Sequence, residues 1–315
     1  ATIVVSNSTI SPDGTQNASL IQSTQTGTAY VAPNNLTLTI GNTYTFSCFA
    51  KKGNNDWIRL AHISSVNTGC WFDLENGVVG TVNSQSATIE DYGNGWYRCT
   101  NTFIATSATN LDNAFIGICD ADGSTNAGVI GKNDYIYGAM LEQLSYPTSY
   151  IPTQGSSVTR VTETCTGAGD VNTFNDSEGV LYAEISALAD DGAFRLLGFS
   201  DGTSANRIYI GYSSVNNITC KIQVSSSTVY GFDLTADITI NSKLALKYKG
   251  NDFAVWVNGV EVDSQSSGNT YPVGTLTQMQ FTSAVLSSPF YGKTKALAVW
   301  KEALTDAELT ALTTI

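Results

Sequence analysis

The sequence predicts an all-β protein made of two tandem antiparallel β-sandwiches, with one short helix at the C-terminal end. Apolar and polar residues alternate along many short segments, which is the pattern of half-buried strands. Gly- and Asn-rich turn signals separate these segments at the spacing of sandwich strands. The length of 315 residues favours two domains over one, and each half could bury its own core.

The first half carries the clearest alternation. The segment TYTFSCFA at 43–50 places Tyr44, Phe46, Cys48 and Ala50 on one face of a strand. Turn residues such as Gly93-Asn94-Gly95 separate the strands. The other segments with strand character lie at 57–63, 78–82, 96–104, 114–119 and 135–141.

Residues 145–179 interrupt this pattern. Pro147 and Pro152 favour extended backbone before them, and Gly-rich stretches follow. We therefore expect a first domain over 1–150, an extended connector over 151–175 and a second domain over 176–315.

The second half resumes the strand pattern and ends in a helix. Asn258-Gly259 lies between two alternating segments and predicts a tight hairpin. Thr305 and Glu308 have the spacing of a capping box, and Leu304 and Leu309 that of a hydrophobic staple. Strand segments are predicted at 180–187, 194–199, 207–212, 218–224, 228–233, 243–249, 252–257, 260–264, 276–282 and 290–300.

Composition excludes several functional classes. The chain has 15 basic and 27 acidic residues, a net charge of −12, so a nucleic-acid partner is not expected. No apolar run of about 18 residues is present, so no membrane insertion is expected. The segment ATIVVSNST at 1–9 has no basic residue and no long apolar run, so no signal peptide is expected in this chain.

The histidine and cysteine content also limits the chemistry. His62 is the single histidine, and its phase with Ile58 and Leu60 predicts a partly buried ring. The six cysteines, at 48, 70, 99, 119, 165 and 220, show no C-x-x-C spacing. We interpret them as free thiols of a protein folded in a reducing cytoplasm, while their even number leaves disulfides open.

Several motifs of the first half resemble a known domain. They are SPDGT at 11–15, TYTFSCFAKKG at 43–53, GNGWYRC at 93–99, YIYGAMLEQ at 135–143 and YPTSYIPT at 146–153 with VTR at 158–160. Together they resemble a domain of bacteriophage tail and virion surface proteins, which is similar to jelly-roll carbohydrate-binding modules. The resemblance covers about residues 1–163 and implies a jelly-roll sandwich.

The second half resembles the laminin-G/concanavalin-A-like lectin superfamily. The residues that carry this resemblance are LALKYKGNDFAVWVNGVEV at 244–262 and FYGKTKALAVWKEALTDAEL at 290–309. It implies a jelly-roll-type lectin sandwich over about 175–315. Structural Ca²⁺ is frequent in both families, but no residue set in this sequence matches its ligands.

The candidate ligand-binding residues are Phe49, Trp57, Arg59, Trp96 and Arg98. Aromatic rings stack on the flat C–H faces of sugars, and arginine pairs with their hydroxyl groups. Alternation puts Phe49, Trp57 and Arg59 opposite the core-facing residues, and in jelly-roll binding modules that concave face carries the ligand. Trp96 and Arg98 share one phase and are expected to join them. The alternative is that Trp57 and Trp96 pack under loops or against the neighbouring domain or subunit. Trp256, opposite its apolar neighbours, is predicted to be exposed.

Catalytic and metal signals are weak. Glu261 and Asp263 come nearest to the carboxylate pattern of sandwich glycosidases, but the third carboxylate is missing. Asp120 and Asp122 alternate as in a Ca²⁺ loop without its remaining ligands. We predict no enzyme, no catalytic residue and no cofactor.

The resemblance implies a non-catalytic phage virion surface protein, from a tail or head fibre, that attaches to host or environmental glycans. The expected partners are a polysaccharide or cell-surface glycan and other virion proteins. Fibres are symmetric assemblies, so a homo-trimer or another homo-oligomer is expected. Two alternatives stay open: a structural decoration protein without glycan binding, and a pair of modules from a secreted bacterial glycan-active protein.

Overall fold

The computed structural model describes residues 1–33, 36–62, 68–106, 109–110 (backbone only), 114–153, 156, 158, 168–284 and 287–315. The chain divides into two compact units, Ala1–Arg160 and Val161–Ile315. Much of the predicted connector at 151–175 lies outside the described residues, as does Cys165. Within the described ranges, no helix has the length and hydropathy needed to cross a bilayer.

The first unit is an antiparallel sandwich of thirteen strands among the described residues. Its strands are β1 (Thr2–Thr9), β2 (Ala18–Ser23), β3 (Ala29–Val31), β4 (Leu36–Thr37), β5 (Thr43–Lys52), β6 (Trp57–Ala61), β7 (Gly69–Asp73), β8 (Val78–Asn83), β9 (Ser86–Asp91), β10 (Trp96–Ile104), β11 (Thr109–Asn110), β12 (Phe115–Cys119) and β13 (Asn133–Glu142).

Two sheets enclose the core of this unit. One has the strand order β1-β2-β13-β5-β10-β9 and the other β3-β12-β6-β7-β8, while β4 and β11 form a separate pair. Phe46 and Cys48 of β5 meet Ile58 and Leu60 of β6 in the core, as the alternation predicted. Cys48 lies directly opposite Cys99 of β10, and both are buried free thiols.

The second unit contains β14 (Glu178–Ala187), β15 (Arg195–Ser200), β16 (Arg207–Ser214), β17 (Asn217–Val224), β18 (Ser227–Thr235), β19 (Ser242–Lys249), β20 (Phe253–Val257), β21 (Val260–Gln265), β22 (Gln278–Gln280), β23 (Gly292–Trp300) and helix α1 (Asp306–Thr313). Its sheets have the orders β21-β20-β19-β14-β23 and β18-β17-β16-β15-β22. The predicted fold class, two tandem antiparallel sandwiches with a short C-terminal helix, is confirmed.

Local signals in the second unit are also confirmed. Asn258 and Gly259 both have positive φ, 50° and 86°, and join β20 to β21. The Thr305 side chain accepts the Glu308 backbone N–H, and the Glu308 carboxylate accepts the Thr305 backbone N–H. Leu304 and Leu309 pack in the same apolar cluster, so the start of α1 is held on the sheet.

Candidate functional site

An aromatic cluster lies on the outer face of the six-stranded sheet in the first unit. It comprises Phe49, Tyr92, Trp96, Tyr137 and Tyr150. The Phe49 ring lies 4.9 Å from Tyr92, 6.0 Å from Tyr137 and 6.4 Å from Tyr150. Phe49 is 6% exposed and Trp96 2%, so neither ring offers a free stacking surface. The structure therefore gives both rings a packing role.

Arg98 fastens a covering segment, residues 144–150, onto this cluster. Its guanidinium lies 5.5 Å from the Phe49 ring centre. Nη2 donates to Ser47 Oγ at 3.2 Å and to the Thr148 carbonyl at 2.5 Å. The Thr45 hydroxyl donates to the Leu144 carbonyl at 2.9 Å. Arg98 is buried, so its charge holds the protein's own backbone and is withheld from solvent.

The turn at 11–15 joins the same cluster. The Asp13 carboxylate accepts the Tyr137 hydroxyl at 2.7 Å and the Thr15 backbone N–H at 2.7 Å. These bonds hold the pKa of Asp13 well below its usual range. Burial and this bond raise the pKa of Tyr137 to about 12. Three of the motifs that carried the resemblance, SPDGT, GNGWYRC and YPTSYIPT, thus converge on one packed face.

Arg59 lies on the other sheet of the first unit, facing away from the core. Its guanidinium sits between two rings, 4.9 Å from Trp71 and 5.2 Å from Phe115. Nε donates to the Thr68 carbonyl at 2.9 Å. Arg59 is only 3% exposed, and burial lowers its pKa. These contacts hold the Arg59 guanidinium inside the protein.

Trp57 is half-buried on the same outer face as Arg59. A Cβ at Gly80 would lie 2.5 Å from Trp57 Cζ3 and would also collide with Asp122 Oδ1, so ring and carboxylate share the space over this glycine. Asp122 accepts the Thr81 backbone N–H at 2.7 Å and the Thr81 hydroxyl at 3.0 Å. The result is a partly exposed indole beside a fixed carboxylate.

The expectation that the five candidate residues share one concave face is wrong. Phe49, Trp96 and Arg98 lie on the six-stranded sheet, whereas Trp57 and Arg59 lie on the five-stranded sheet. Alternation distinguishes inward from outward residues but does not say which sheet a strand joins. The chain crosses between sheets after β5, so outward residues of β5 and β6 point in opposite directions. Glycan contact by the five residues stays a prediction.

In the second unit, helix α1 closes the outer face of one sheet. Trp256 of β20 packs there with Leu309 and Tyr182 and is 1% exposed. Lys247 lies 5.5 Å from the Trp256 ring and pairs with Asp252 at 2.8 Å. The prediction of an exposed Trp256 is therefore wrong, because the helix supplies a second buried layer that strand alternation does not reveal.

The sheet β18-β17-β16-β15-β22 lies opposite the sheet that α1 covers, and we call its outer face the open face. Core residues alternate with the side chains that form it, which are Arg207, Tyr209, Thr219, Lys221, Gln223 and Asp233. Sequence reasoning missed this face. The signal was present in RIYIGYS at 207–213, where Arg207, Tyr209 and Gly211 alternate with core residues.

The carboxylates considered for catalysis or metal binding either form hydrogen bonds with other groups or are exposed to solvent. Asp263 accepts the Tyr230 hydroxyl at 2.8 Å, and Glu261 is exposed. His62 stacks on Phe103 at 4.1 Å, and burial lowers its pKa to about 4. No group of three His, Cys, Asp or Glu in the described part of the chain is arranged to hold a metal ion.

Comparison with known proteins bears on the second unit. Residues 169–310 match the family model of the concanavalin A-like lectin/glucanases superfamily. The second unit is a lectin-like sandwich. No curated protein matches the chain.

Similar solved structures include three sandwich proteins. The Ruminococcus gnavus IT-sialidase CBM40 bound to α2,3 sialyllactose is 16% identical, with a TM-score of 0.40, over 49% of this chain and 97% of that one. The native heptameric SAP-like pentraxin from Limulus polyphemus is 12% identical, with a TM-score of 0.37, over 46% and 72%. Mouse laminin α1 domains LG4-5 are 12% identical, with a TM-score of 0.33, over 89% and 88%.

Proposed function

We propose that this protein is a non-catalytic attachment protein that binds glycans, carried on the surface of a bacteriophage particle. The observation that carries the proposal is the half-buried indole of Trp57 beside the fixed carboxylate of Asp122. An aromatic platform can stack on a sugar ring while a neighbouring carboxylate accepts its hydroxyl groups. The lectin-like fold of the second unit supports the same activity.

The virion location rests on the motifs at 11–15, 93–99 and 146–153, which resemble those of phage surface domains. The hydrogen bonds of Arg98 and Asp13 bring these motifs together on one packed face. Motifs that pack together in this way are consistent with a single domain family. Binding at a shallow polar surface is expected to be weak at each site. Many copies on one particle would supply avidity.

The test is binding of the labelled chain to an array of bacterial and algal polysaccharides, presented at high density. Trp57→Ala is compared with the wild type and with Phe194→Ala, which removes an exposed ring of the second unit, just before β15. Binding that is lost only in Trp57→Ala supports glycan contact at the first unit. Binding that survives in Trp57→Ala moves the contact to the second unit.

Absence of binding by all three proteins would contradict the proposal and favour a structural decoration protein. One observation favours that second candidate. Edge strand β1 exposes Ile3, Val4 and Val5, each about half accessible, and carries no charged residue. Such an edge suits pairing with a neighbouring virion subunit. Sedimentation of the wild type beside Val4→Lys would then report an assembly that the lysine weakens.

A further inference from the structure

We propose that the open face of the second unit binds saccharides that carry a carboxylate group, with Arg207 as the residue that recognises the carboxylate. This inference rests on the proposed function and adds a second site and a ligand class to it. It is carried by the shape of the face and, within the described residues, by donors of Arg207 and two buried oxygen atoms that have no hydrogen-bond partner.

Glycines open the centre of this face. Gly198 of β15 pairs with Tyr209, and Gly211 of β16 pairs with Leu196. A Cβ at Gly198 would collide with the Ile208 carbonyl, and one at Gly211 with the Arg195 carbonyl. The two strands approach so closely that both positions must lack side chains. Tyr209 is therefore flanked by bare backbone on its neighbouring strand.

Arg207 and Tyr209 form the recognition pair. The guanidinium lies 5.0 Å from the Tyr209 ring centre, and its Nε donates to Gln223 Oε1. Among the described residues, its two terminal nitrogens have no hydrogen-bond partner. The side chain is half-buried, so these donors are oriented and also reachable. A planar fork of N–H donors matches the two oxygens of a carboxylate.

Two oxygen atoms on the same face lack partners within the described part of the chain. Thr219 Oγ1 and Gln280 Oε1 are unbonded, although their residues are 1% and 5% exposed. Buried polar atoms without partners are rare and indicate a bound water or ligand group. Gln280 lies in register beside Gly198, and a cleft of about 10 Å³ there has room for one hydroxyl group or water.

These features define the ligand chemistry. The Tyr209 ring is 9% exposed and packs beside the Arg207 guanidinium, while Thr219 Oγ1 and Gln280 Oε1 offer acceptors for a hydroxyl group or water. The terminal nitrogens of Arg207 require a planar anion. Lys221, half-buried beside Tyr209 on β17, adds a second positive charge. The acidic sugars of bacterial and algal polysaccharides satisfy all of these requirements.

The test measures binding of the complete chain to immobilised polygalacturonate and alginate. The same polysaccharides after reduction of their carboxylates to alcohols serve as neutral counterparts. We expect the acidic forms to bind about tenfold more tightly. Arg207→Gln should bring binding down to the level of the reduced forms. Lys249→Gln removes the same charge from the other sheet and should leave binding unchanged.

A second variant tests the same site independently, in case Arg207→Gln fails to fold. Thr228→Asp adds a negative charge to an exposed position opposite Gln223, the partner of Arg207, and should weaken binding of the acidic forms alone. Equal binding of acidic and reduced forms, no effect of Arg207→Gln, or no binding of any acidic form would overturn the inference. If the array glycans depend on Trp57 and not on Arg207, this inference fails while the proposed function stands. If no glycan binds at all, both fail.

Discussion

Each unit covers the outer face of one of its sheets, but the two covers differ in kind. In the first unit the cover is the extended segment at 144–150, fastened by hydrogen bonds from Arg98 and Thr45. In the second it is helix α1, held by apolar contacts of Leu309 with Trp256. A helix satisfies its own backbone groups, whereas an extended segment needs partners from the sheet beneath it. In the first unit, buried Arg98 supplies one of these partners to the Thr148 carbonyl.

The largest expected effect comes from breaking the apolar cover. Trp256→Ala should lower the free energy of unfolding by about 3–5 kcal/mol, because it leaves a cavity between α1 and the sheet. Denaturant unfolding followed by circular dichroism measures this loss. Trp57→Ala is the matched control and should cost far less, since its ring is half-buried. A cost for Trp256→Ala equal to that of the control would contradict the packing of α1.

A pH titration sharpens the comparison, because a carboxyl group with a raised pKa, Asp134, lies in the first unit. Asp134 is fully buried and accepts N–H groups of Asn55 and Gly53, and burial raises its pKa from 3.8 to about 7. The folded state therefore binds the proton more tightly than the unfolded state. The resulting stabilisation is complete below about pH 4 and is lost as the pH rises through 7.

Relative to Asp134→Asn, the wild-type first unit should lose on the order of 2–4 kcal/mol of stability between pH 5 and pH 8. His62 acts in the opposite direction, because burial lowers its pKa to about 4 and its neutral folded form gains stability as the pH rises toward 6.5, but it contributes equally to both proteins. Thermal unfolding of the two proteins at each pH measures the difference. A stability difference that does not change with pH would refute the assignment.

Breaking the hydrogen-bonded cover should have a smaller effect. Arg98→Ala removes the guanidinium hydrogen bond to the Thr148 carbonyl and should destabilise the first unit by about 2 kcal/mol. Hydrogen exchange at 144–150 should accelerate, while exchange in α1 stays unchanged. Arg98→Lys should recover part of the loss. Unchanged exchange in Arg98→Ala would mean that the aromatic contacts alone hold the segment.

The smallest expected effect is thiol reactivity, which should be nearly absent in both units. Burial raises the pKa of Cys48 and of Cys220 to about 12, so little thiolate is available at neutral pH. A Cys165→Ser variant confines the test to the five described thiols. They should fail to react with a thiol reagent in the native protein and react fully after unfolding. Fewer than five reactive thiols after unfolding without reductant would reveal a disulfide and favour the secreted alternative.

The sequence predicted much of the fold because its signals are local. Alternation marked the core residues of β5 and β6, and the spacing of Thr305 and Glu308 marked the helix start. The assignment of strands to sheets was not local, so Phe49 and Trp57 were placed on one face in error. The burial of Trp256 was missed for the same reason, because only the folded chain brings α1 over β20.

The candidate site was harder to predict than the fold. An arginine beside aromatic rings has the composition of a ligand site, yet the partner of Arg98 is the backbone carbonyl of Thr148. Nothing in the local sequence distinguishes a partner within the chain from one outside it. Arg207 and Tyr209 have a similar composition, and the difference is that the terminal nitrogens of Arg207 have no partner among the described residues.

The close approach of β15 and β16 limits which positions of the open face can carry different residues. Gly198 and Gly211 have no room for any side chain, so the centre of the open face is fixed by the backbone. Variation in ligand preference would have to come from the adjoining strand, where Lys221 is half-buried and points out of the sheet. A library built to redirect specificity would randomise Lys221 first and hold Gly198, Gly211 and the Arg207–Gln223 pair constant.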